Sequence, residues 1–317
     1  MKDEKALTVL REQIKELQKL NENGEIDLSA EIAQLEEKLQ SLTAASYAKL
    51  ADWDRVKLSR HPQRPYALDY IPEICSDFYE LHGDRLHGDD RAMIVGLAKL
   101  EQKTVMIAAQ QKGRTTEEKK ERFFGMSRPQ GYRKALRVME LAERFSFPVI
   151  TLIDTPGAYP GIEAEELNIS GAIADNLQKM SLLNVPIIAV VIGEGGSGGA
   201  IAIGVADRIM MLENAIYSVI SPEGCAAILW RDNGMIAEAA KALGLTASRL
   251  KDLGLIDEII PESLGGAHTD PQQTAANLKE ALIRHLNDLS LLSIDELLKK
   301  RYKKYRSIGR YRTLSKK

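Results

Sequence analysis

The most constraining feature of this chain is a set of short, wholly apolar segments that alternate with helical ones. Strands of a parallel sheet are buried on both faces and lack the apolar and polar alternation of half-exposed strands. Helices between successive strands then cover the sheet. The pattern predicts an α/β fold with mainly parallel strands at residues 93–100, 104–110, 149–154, 187–192, 208–212, 216–219 and 258–260.

Segments with helical spacing of apolar residues lie before and between these strands. Two of them flank the turn-like stretch 21–24 and predict an N-terminal helical hairpin. Further helices are predicted at residues 70–81, 131–145, 169–180, 235–242, 247–253 and 271–286. We therefore divide the chain into a hairpin (1–45), a main domain (46–292) and a basic tail (293–317), which we interpret as a solvated or partner-docking helix.

Composition limits the classes of partner. A net charge of −2 over 317 residues argues against attraction to nucleic acid or anionic membrane. No apolar run approaches the roughly 20 residues that span a bilayer, and the N-terminus lacks the apolar core of a signal peptide. Cys75 and Cys225 have no neighbouring cysteine, so we expect buried free thiols and no zinc site. We expect a cytoplasmic protein.

Two glycine-rich loops follow successive predicted strands, with the sequences DTPGAYPG at 154–161 and GEGGSGG at 193–199. Glycine leaves backbone N–H groups uncovered, and at a helix start such groups bind negative charge. We predict that Gly198 and Gly199 donate N–H groups to an oxygen on which charge develops during the reaction. Neighbouring candidates for substrate binding are Gly157, Ala158, Gly195 and Gly196.

The glycine run also fits other patterns. It contains GxGxxG after a strand, with Glu213 placed for a ribose, as in a dinucleotide site. It contains GxSxG around Ser197, as in a serine hydrolase. The other members of a triad follow in hydrolase order, namely Asp207, Asp232 or Asp257, and then His268. Close packing of a helix on a strand asks for glycine too, although we expect four glycines to exceed what packing needs.

Basic residues gather around Gly113 and the stretch 123–125. They form either a solvated loop or an electropositive rim for a phosphate-rich substrate. Lys112 and Arg114 are the candidates for substrate contact, and the others are Lys119, Lys120, Arg122 and Arg128. Residues 82–90 hold histidines and aspartates in irregular order, which we interpret as a polar turn capped by aspartates.

Further motifs occur in order along nearly the whole chain. They are RHPQRPY (60–66), LHGDR (81–85), QKGR (111–114), GYRKAL (131–136), the two glycine loops, SVISPEG (218–224) and PESLGGAH (261–268). In these motifs the chain resembles the carboxyltransferase alpha-subunit family of the multi-subunit bacterial or plastid acetyl-CoA carboxylase. The resemblance implies a crotonase-type superhelix of ββα units, with residues 46–292 as the CoA carboxyltransferase domain.

The resemblance also implies an activity and partners. A carboxyl group would pass from carboxybiotin, held on a biotin carboxyl carrier protein, to acetyl-CoA and give malonyl-CoA for fatty acid synthesis. Gly198 and Gly199 would donate to the biotin ureido oxygen, and Gly157 would lie beside the biotin. A homologous beta subunit would complete an α2β2 assembly and carry the zinc. ATP would be used only by the separate biotin carboxylase.

The chain departs from the family pattern at a few positions. Residues 165–171 are EELNISG, where the family continues the two glutamates with Arg-Gly-Gln-Ser-Glu. Phe123 stands where asparagine is usual, and Gln130 where glutamate is common. The glycines that supply the amides are kept, so we expect the chemistry to be retained. A paralogue used only for assembly stays open as an alternative.

Overall fold

The computed structural model describes residues 4–22, 27–47 and 49–309, and a mixed eight-stranded sheet forms its centre. The strand order is β1-β2-β3-β4-β5-β6-β8, and β7 pairs with the end of β5. The strands are β1 Ser76–Glu80, β2 Met93–Leu100, β3 Lys103–Gln110, β4 Val149–Thr155, β5 Ile187–Gly196, β6 Arg208–Leu212, β7 Ile216–Ser218 and β8 Glu258–Ile260.

Helices cover the sheet and extend beyond it. They are α1 Glu4–Glu22, α2 Ser29–Tyr47, α3 Asp52–Ser59, α4 Ala67–Ile74, α5 Thr116–Glu121, α6 Pro129–Phe145, α7 Ile162–Glu166, α8 Ile169–Leu182, α9 Ser197–Ile201, α10 Pro222–Leu229, α11 Ile236–Leu243, α12 Ala247–Asp252, α13 Pro271–Ser290 and α14 Ile294–Ser307. Short 3₁₀ turns lie at Phe123–Gly125 and Asn233–Met235.

The predicted parallel pairing is confirmed from β3 onward, because β3, β4, β5, β6 and β8 pair in parallel as neighbours. All seven residues of β4 and the first nine of β5 are buried, as their apolar sequences require. Carboxyl ends of parallel strands meet at one edge of a sheet. Thr155 at the end of β4 therefore pairs with Gly195, which brings the two glycine loops side by side.

The N-terminal hairpin is confirmed by α1 and α2. Leu10, Ile14 and Ile32 are buried where the two helices face each other, so the hairpin closes its own apolar seam. The predicted turn at 21–24 lies partly outside the described residues.

The helix predicted over residues 70–81 is wrong in its second half. Helix α4 ends at Ile74, Cys75 is extended, and the chain continues as β1. This edge strand pairs antiparallel with β2, where Ser76 faces Lys99 and Tyr79 faces Leu97. Helices α3, α5, α7 and α10 lie in stretches without a predicted helix.

The C-terminal helix α14 packs on the same core as the sheet, and Leu297 and Tyr305 contribute to that core. Arg301 is 1% exposed. Its guanidinium donates to both carboxylate oxygens of Asp207, at 2.8 and 2.7 Å, and to three main-chain carbonyls. Helical structure in the basic tail is thus confirmed to residue 307, and residues 310–317 lie outside the described part. The division into three segments stays a prediction.

The polar stretch 82–90 is a turn built on Asp84. The Oδ1 atom of Asp84 accepts the N–H groups of Leu86, His87 and Gly88, at 3.0, 2.7 and 2.9 Å, and Oδ2 accepts Arg133 Nε at 2.8 Å. Burial alone would raise the pKa of Asp84, but these donors outweigh it and hold the pKa well below its usual range.

Cysteine placement agrees with the sequence, because Cys75 and Cys225 are free and buried. Within the described residues, no group of three or more His, Cys, Asp or Glu side chains is placed to hold a metal ion. No helix there is long and apolar enough to cross a bilayer.

Candidate functional site

The site is built where β4 and β5 end. Strand β5 continues through Gly196, so Gly193, Gly195 and Gly196 are strand residues. Gly195 pairs with Thr155 of β4 and with β7, and Gly196 pairs with β7. Helix α9 then begins at Ser197, whose φ is 49°, and has five residues. A dinucleotide site needs these glycines in a loop that leads into a long helix. The dinucleotide alternative is therefore wrong.

Packing accounts for more of the glycines than the sequence suggested. A Cβ atom at Gly193 would collide with the Asp154 carboxylate, and one at Gly196 would collide with the Pro156 carbonyl. A Cβ atom at Gly195 would lie 2.7 Å from the Tyr217 ring. The expectation that the run exceeds what packing needs was wrong at these positions, because the 154–161 loop, or the Tyr217 ring at Gly195, approaches the backbone too closely for a side chain.

Gly198 and Gly199 differ from each other in the space available for a Cβ atom. A Cβ atom at Gly199 would lie 2.5 Å from the Gly157 carbonyl carbon, so the 154–161 loop rests directly on Gly199. At Gly198 the nearest atom to an added Cβ would be Ile173 Cδ1, at 3.6 Å, which is ordinary contact. Packing therefore explains glycine at 199 and leaves glycine at 198 without a packing reason.

The N–H groups of these two glycines lie in the first turn of α9, where a helix offers its own amides no acceptor. Among the described residues, neither amide donates to another main-chain or side-chain group. The Gly157 N–H, in contrast, donates to Thr155 Oγ1 at 3.1 Å. The oxyanion role of Gly198 and Gly199 stays a prediction.

A buried ionic network supports the strand that leads into α9. Lys112 Nζ lies 2.7 Å from both Asp154 Oδ1 and Glu194 Oε2. Glu194 Oε1 accepts Arg60 Nε at 2.6 Å, and Arg60 also binds Glu223 at 2.5 Å. Burial disfavours the charge on Lys112, yet the two carboxylates outweigh it and raise the pKa of this lysine. Lys112 and Arg60 likewise overcome burial and lower the pKa of Glu194.

Beside this network is a cleft of about 270 Å³, lined by Arg60, Tyr66, Lys112, Arg114, Lys119, Phe124 and Pro156, among others. Lys112 does not lie on an exposed rim, since its side chain is 13% exposed and two carboxylates compensate its charge. The Arg114 guanidinium stacks 4.6 Å over the Tyr66 ring and pairs with Asp69. Substrate contacts of Lys112 and Arg114 stay predictions.

The acids of the hydrolase alternative are engaged elsewhere. Asp207 binds Arg301, Asp257 accepts from Lys304 and from the Ile209 N–H, and Asp232 caps the turn at Gly234. The His268 ring stacks on that of His61, with centroids 3.7 Å apart. None of these three carboxylates is therefore free to act as the acid of a Ser–His–Asp triad with His268 and Ser197.

The altered segment after Glu166 has a local structural role. Asn168 adopts a left-handed conformation with φ 60° and caps α8, because its Oδ1 accepts the Gly171 N–H at 3.1 Å. A Cβ atom at Gly171 would collide with the Asn168 side chain. Asn168 and Gly171 thus suit each other, and the segment still begins a helix.

Sequence reasoning missed three members of the site, namely Arg60, Glu194 and Gln110, whose Nε2 donates to the Gly199 carbonyl. A carboxylate two residues after an apolar strand, between glycines, is a signal for Glu194, because a charge that is buried there needs a partner. Arg60 and Gln110 carry no such local signal, since their partners lie more than 40 positions away in sequence.

Solved structures with a similar fold identify the fold class of this chain. A transcarboxylase 12S structure matches with a TM-score of 0.56 at 20% identity, over 78% of this chain and 43% of that one. A Pseudomonas malonate decarboxylase hetero-tetramer, solved with coenzyme A, matches with a TM-score of 0.56 at 19% identity, over 70% and 89%. These likenesses confirm the crotonase-like α/β fold.

Sequence relatives narrow this class to one family. The family model described as acetyl co-enzyme A carboxylase carboxyltransferase-like matches residues 1–309. The acetyl-coenzyme A carboxylase carboxyl transferase subunit alpha of Thioalkalivibrio sulfidiphilus is 53% identical over 98% of this chain and 97% of its own. That of Fusobacterium nucleatum is 55% identical over 95% and 96%. The chain belongs to the family of acetyl-CoA carboxylase carboxyltransferase alpha subunits.

Proposed function

We propose that this chain, together with a beta subunit, transfers the carboxyl group of carboxybiotin to acetyl-CoA and so forms malonyl-CoA for fatty acid synthesis. The observation that carries the proposal is the start of α9, where the N–H groups of Gly198 and Gly199 have no acceptor among the described residues and the second glycine loop rests on Gly199. Family membership supplies the reaction class. The amides supply a means of stabilising negative charge without a side-chain nucleophile.

In this proposal the Gly198 and Gly199 amides hold the ureido oxygen of biotin as it becomes negative. Carboxybiotin supplies the carboxyl group, and its freed nitrogen can take the methyl proton of acetyl-CoA. Loss of one such donor typically costs about 3 kcal/mol in the transition state. The 154–161 loop, which packs on Gly199, forms the wall beside the ring.

The proposed assembly is an α2β2 heterotetramer in the cytoplasm, and the zinc belongs to the beta subunit. The biotin arrives on a carrier protein that an ATP-dependent biotin carboxylase loads. Val219, which follows the β7 residue that pairs with Gly196, is exposed, and so are Ile228 and Leu229 of α10. Exposed apolar side chains of this kind support a partner surface. We expect the chain alone to be inactive and the complex to form malonyl-CoA from carboxybiotin.

The test replaces single backbone amides by esters, which removes an N–H group and leaves the side chain unchanged. The ester at Gly198 should lower kcat of the complex by about 100- to 1000-fold, with little loss of stability because the fold does not use this N–H. The matched control is an ester at Gly204, whose N–H donates to the Ile201 carbonyl at 3.0 Å. It should lower stability and keep kcat.

Wild-type kcat in the Gly198 ester would refute the amide assignment. Ser197→Ala should keep the transfer rate, since its hydroxyl has no role in the proposal, whereas a serine hydrolase would lose its activity. A complex that assembles with the beta subunit and yet forms no malonyl-CoA would show an assembly paralogue.

A further inference from the structure

One fully buried side chain joins the two glycine loops. Gln110, the last residue of β3, is 0% exposed. Its Oε1 accepts the Asp154 N–H at 3.1 Å, and its Nε2 donates to the Gly199 carbonyl at 2.7 Å. One amide side chain thus fixes the end of β4 and the first turn of α9 relative to each other.

The hydrogen bond from Gln110 gives the Gly199 carbonyl a donor that the short helix α9 does not supply. A carbonyl in α9 would ordinarily accept the N–H four residues further on, but the Ile203 N–H donates to Ala200 instead. The Gly199 carbonyl is therefore one of the terminal carbonyls for which the helix supplies no donor. Gln110 Nε2 satisfies it from the sheet below, in a buried setting where an unpaired carbonyl is costly.

We infer that Gln110 is a positioning residue, which aims the Gly198 and Gly199 N–H groups by holding the α9 backbone through the Gly199 carbonyl. This inference rests on the function proposed above and adds to it a residue that contacts no substrate. Gln110 suits the task because a neutral amide offers one acceptor and one donor, as the Asp154 N–H and the Gly199 carbonyl require. Oxyanion donors act well only when their positions are fixed before the reaction.

The first variant is Gln110→Met in the complex with the beta subunit, since methionine keeps the length of the side chain and removes both hydrogen bonds. We expect kcat for malonyl-CoA formation to fall about 10- to 100-fold, with KM for acetyl-CoA nearly unchanged. The matched control is Gln111→Met. Gln111 is 6% exposed and also makes two bonds, to the Leu68 N–H and the Lys112 carbonyl, but none to α9. It should keep kcat within about threefold.

The second variant is Gln110→Glu, which tests the donor alone. A carboxylate would keep the bond to Asp154 N–H but set an oxygen against the Gly199 carbonyl. A protonated carboxyl group can accept and donate as glutamine does. The ratio of variant to wild-type kcat should therefore rise as pH falls. Titration of the charged neighbours Asp154, Lys112 and Glu194 occurs in both proteins, so we expect it to cancel largely from the ratio.

A readout independent of turnover is hydrogen exchange of peptides that cover residues 193–204. Gln110→Met should speed exchange there, and Gln111→Met should not. Equal kcat in Gln110→Met and wild type, a kcat ratio for Gln110→Glu that does not vary with pH, or unchanged exchange would overturn the inference. If the wild-type complex formed no malonyl-CoA, the proposed function would fail, and the exchange result would still decide whether Gln110 holds α9.

Discussion

At the residue scale, neighbouring glycines of α9 differ in the space around them. Gly199 is covered by the Gly157 backbone, whereas a Cβ atom at Gly198 would make only an ordinary contact with Ile173. We expect Gly199→Ala to destabilise the protein by about 1–3 kcal/mol, because the loop must move away. Gly198→Ala should be neutral or slightly stabilising, since alanine favours the helix. Urea unfolding of both variants measures the difference, and a larger loss in Gly198→Ala would contradict it.

The packing at these glycines could not be predicted from the sequence. The run was visible, and so was its place between a strand and a helix. What a Cβ atom at Gly196 or Gly199 would meet is the 154–161 loop, which lies about 40 positions earlier. Only the β4–β5 register brings the two together. The oxyanion role of the amides can be proposed from the sequence. Only the coordinates show which of the glycines packing requires and which it does not.

Asp84 leads to a prediction about how the stability of the protein depends on pH. Its folded pKa is lowered, so its contribution to stability is full above the unfolded value of about 3.9 and is lost as pH falls below it. Asp84→Asn should cost about 1.5–3 kcal/mol at pH 7, because the Arg133 bond loses its charge. The difference from wild type should narrow between pH 5 and pH 3. Urea unfolding across that range checks this, and a constant difference would refute it.

At the element scale, the apolar strands are easier to predict than the edge strand β1, whose sequence is polar and aromatic. The sequence located β2, β6 and β8 with their observed bounds, since buried parallel or hairpin strands are apolar throughout. The sequence predicts a helix at residues 76–80, because their polar and aromatic residues also suit a helical face. Their pairing with residues 96–99 is what makes them a strand. Such an edge strand depends on a contact 20 positions away and has no local signature.

Helix α14 supplies the prediction for this scale. Removal of one partner from a buried ion pair leaves an unpaired charge and typically costs about 3–5 kcal/mol. Arg301→Met should lose that much, because Asp207 would stay buried without its guanidinium. Lys303→Met, on the exposed face of the same helix, should be nearly neutral. Thermal and urea unfolding compare the two, and equal losses would show that Asp207 finds another partner.

At the scale of the whole molecule, the two ends of the chain differ in their dependence on the core. The N-terminal hairpin has its own apolar seam, whereas α14 inserts Arg301 and Leu297 into the main core. A chain of residues 49–309 should unfold within a few degrees of the full-length protein. A chain of residues 49–292 should be strongly destabilised or insoluble. Calorimetry distinguishes them, and a stable 49–292 chain would support the tail boundary expected from the sequence.

The central strand β5 places two kinds of polar cluster far apart. At its first residue, the Ile187 N–H donates to Asp207, the carboxylate that binds Arg301. At its far end are the glycines of α9, about 30 Å away for a ten-residue strand. Improved packing at the Asp207 end should therefore raise thermal tolerance without stiffening the end at which we propose that the reaction takes place. Substitutions that raise stability should be sought first at the Asp207 end, because there they need not lower activity, as stabilising substitutions near an active site often do.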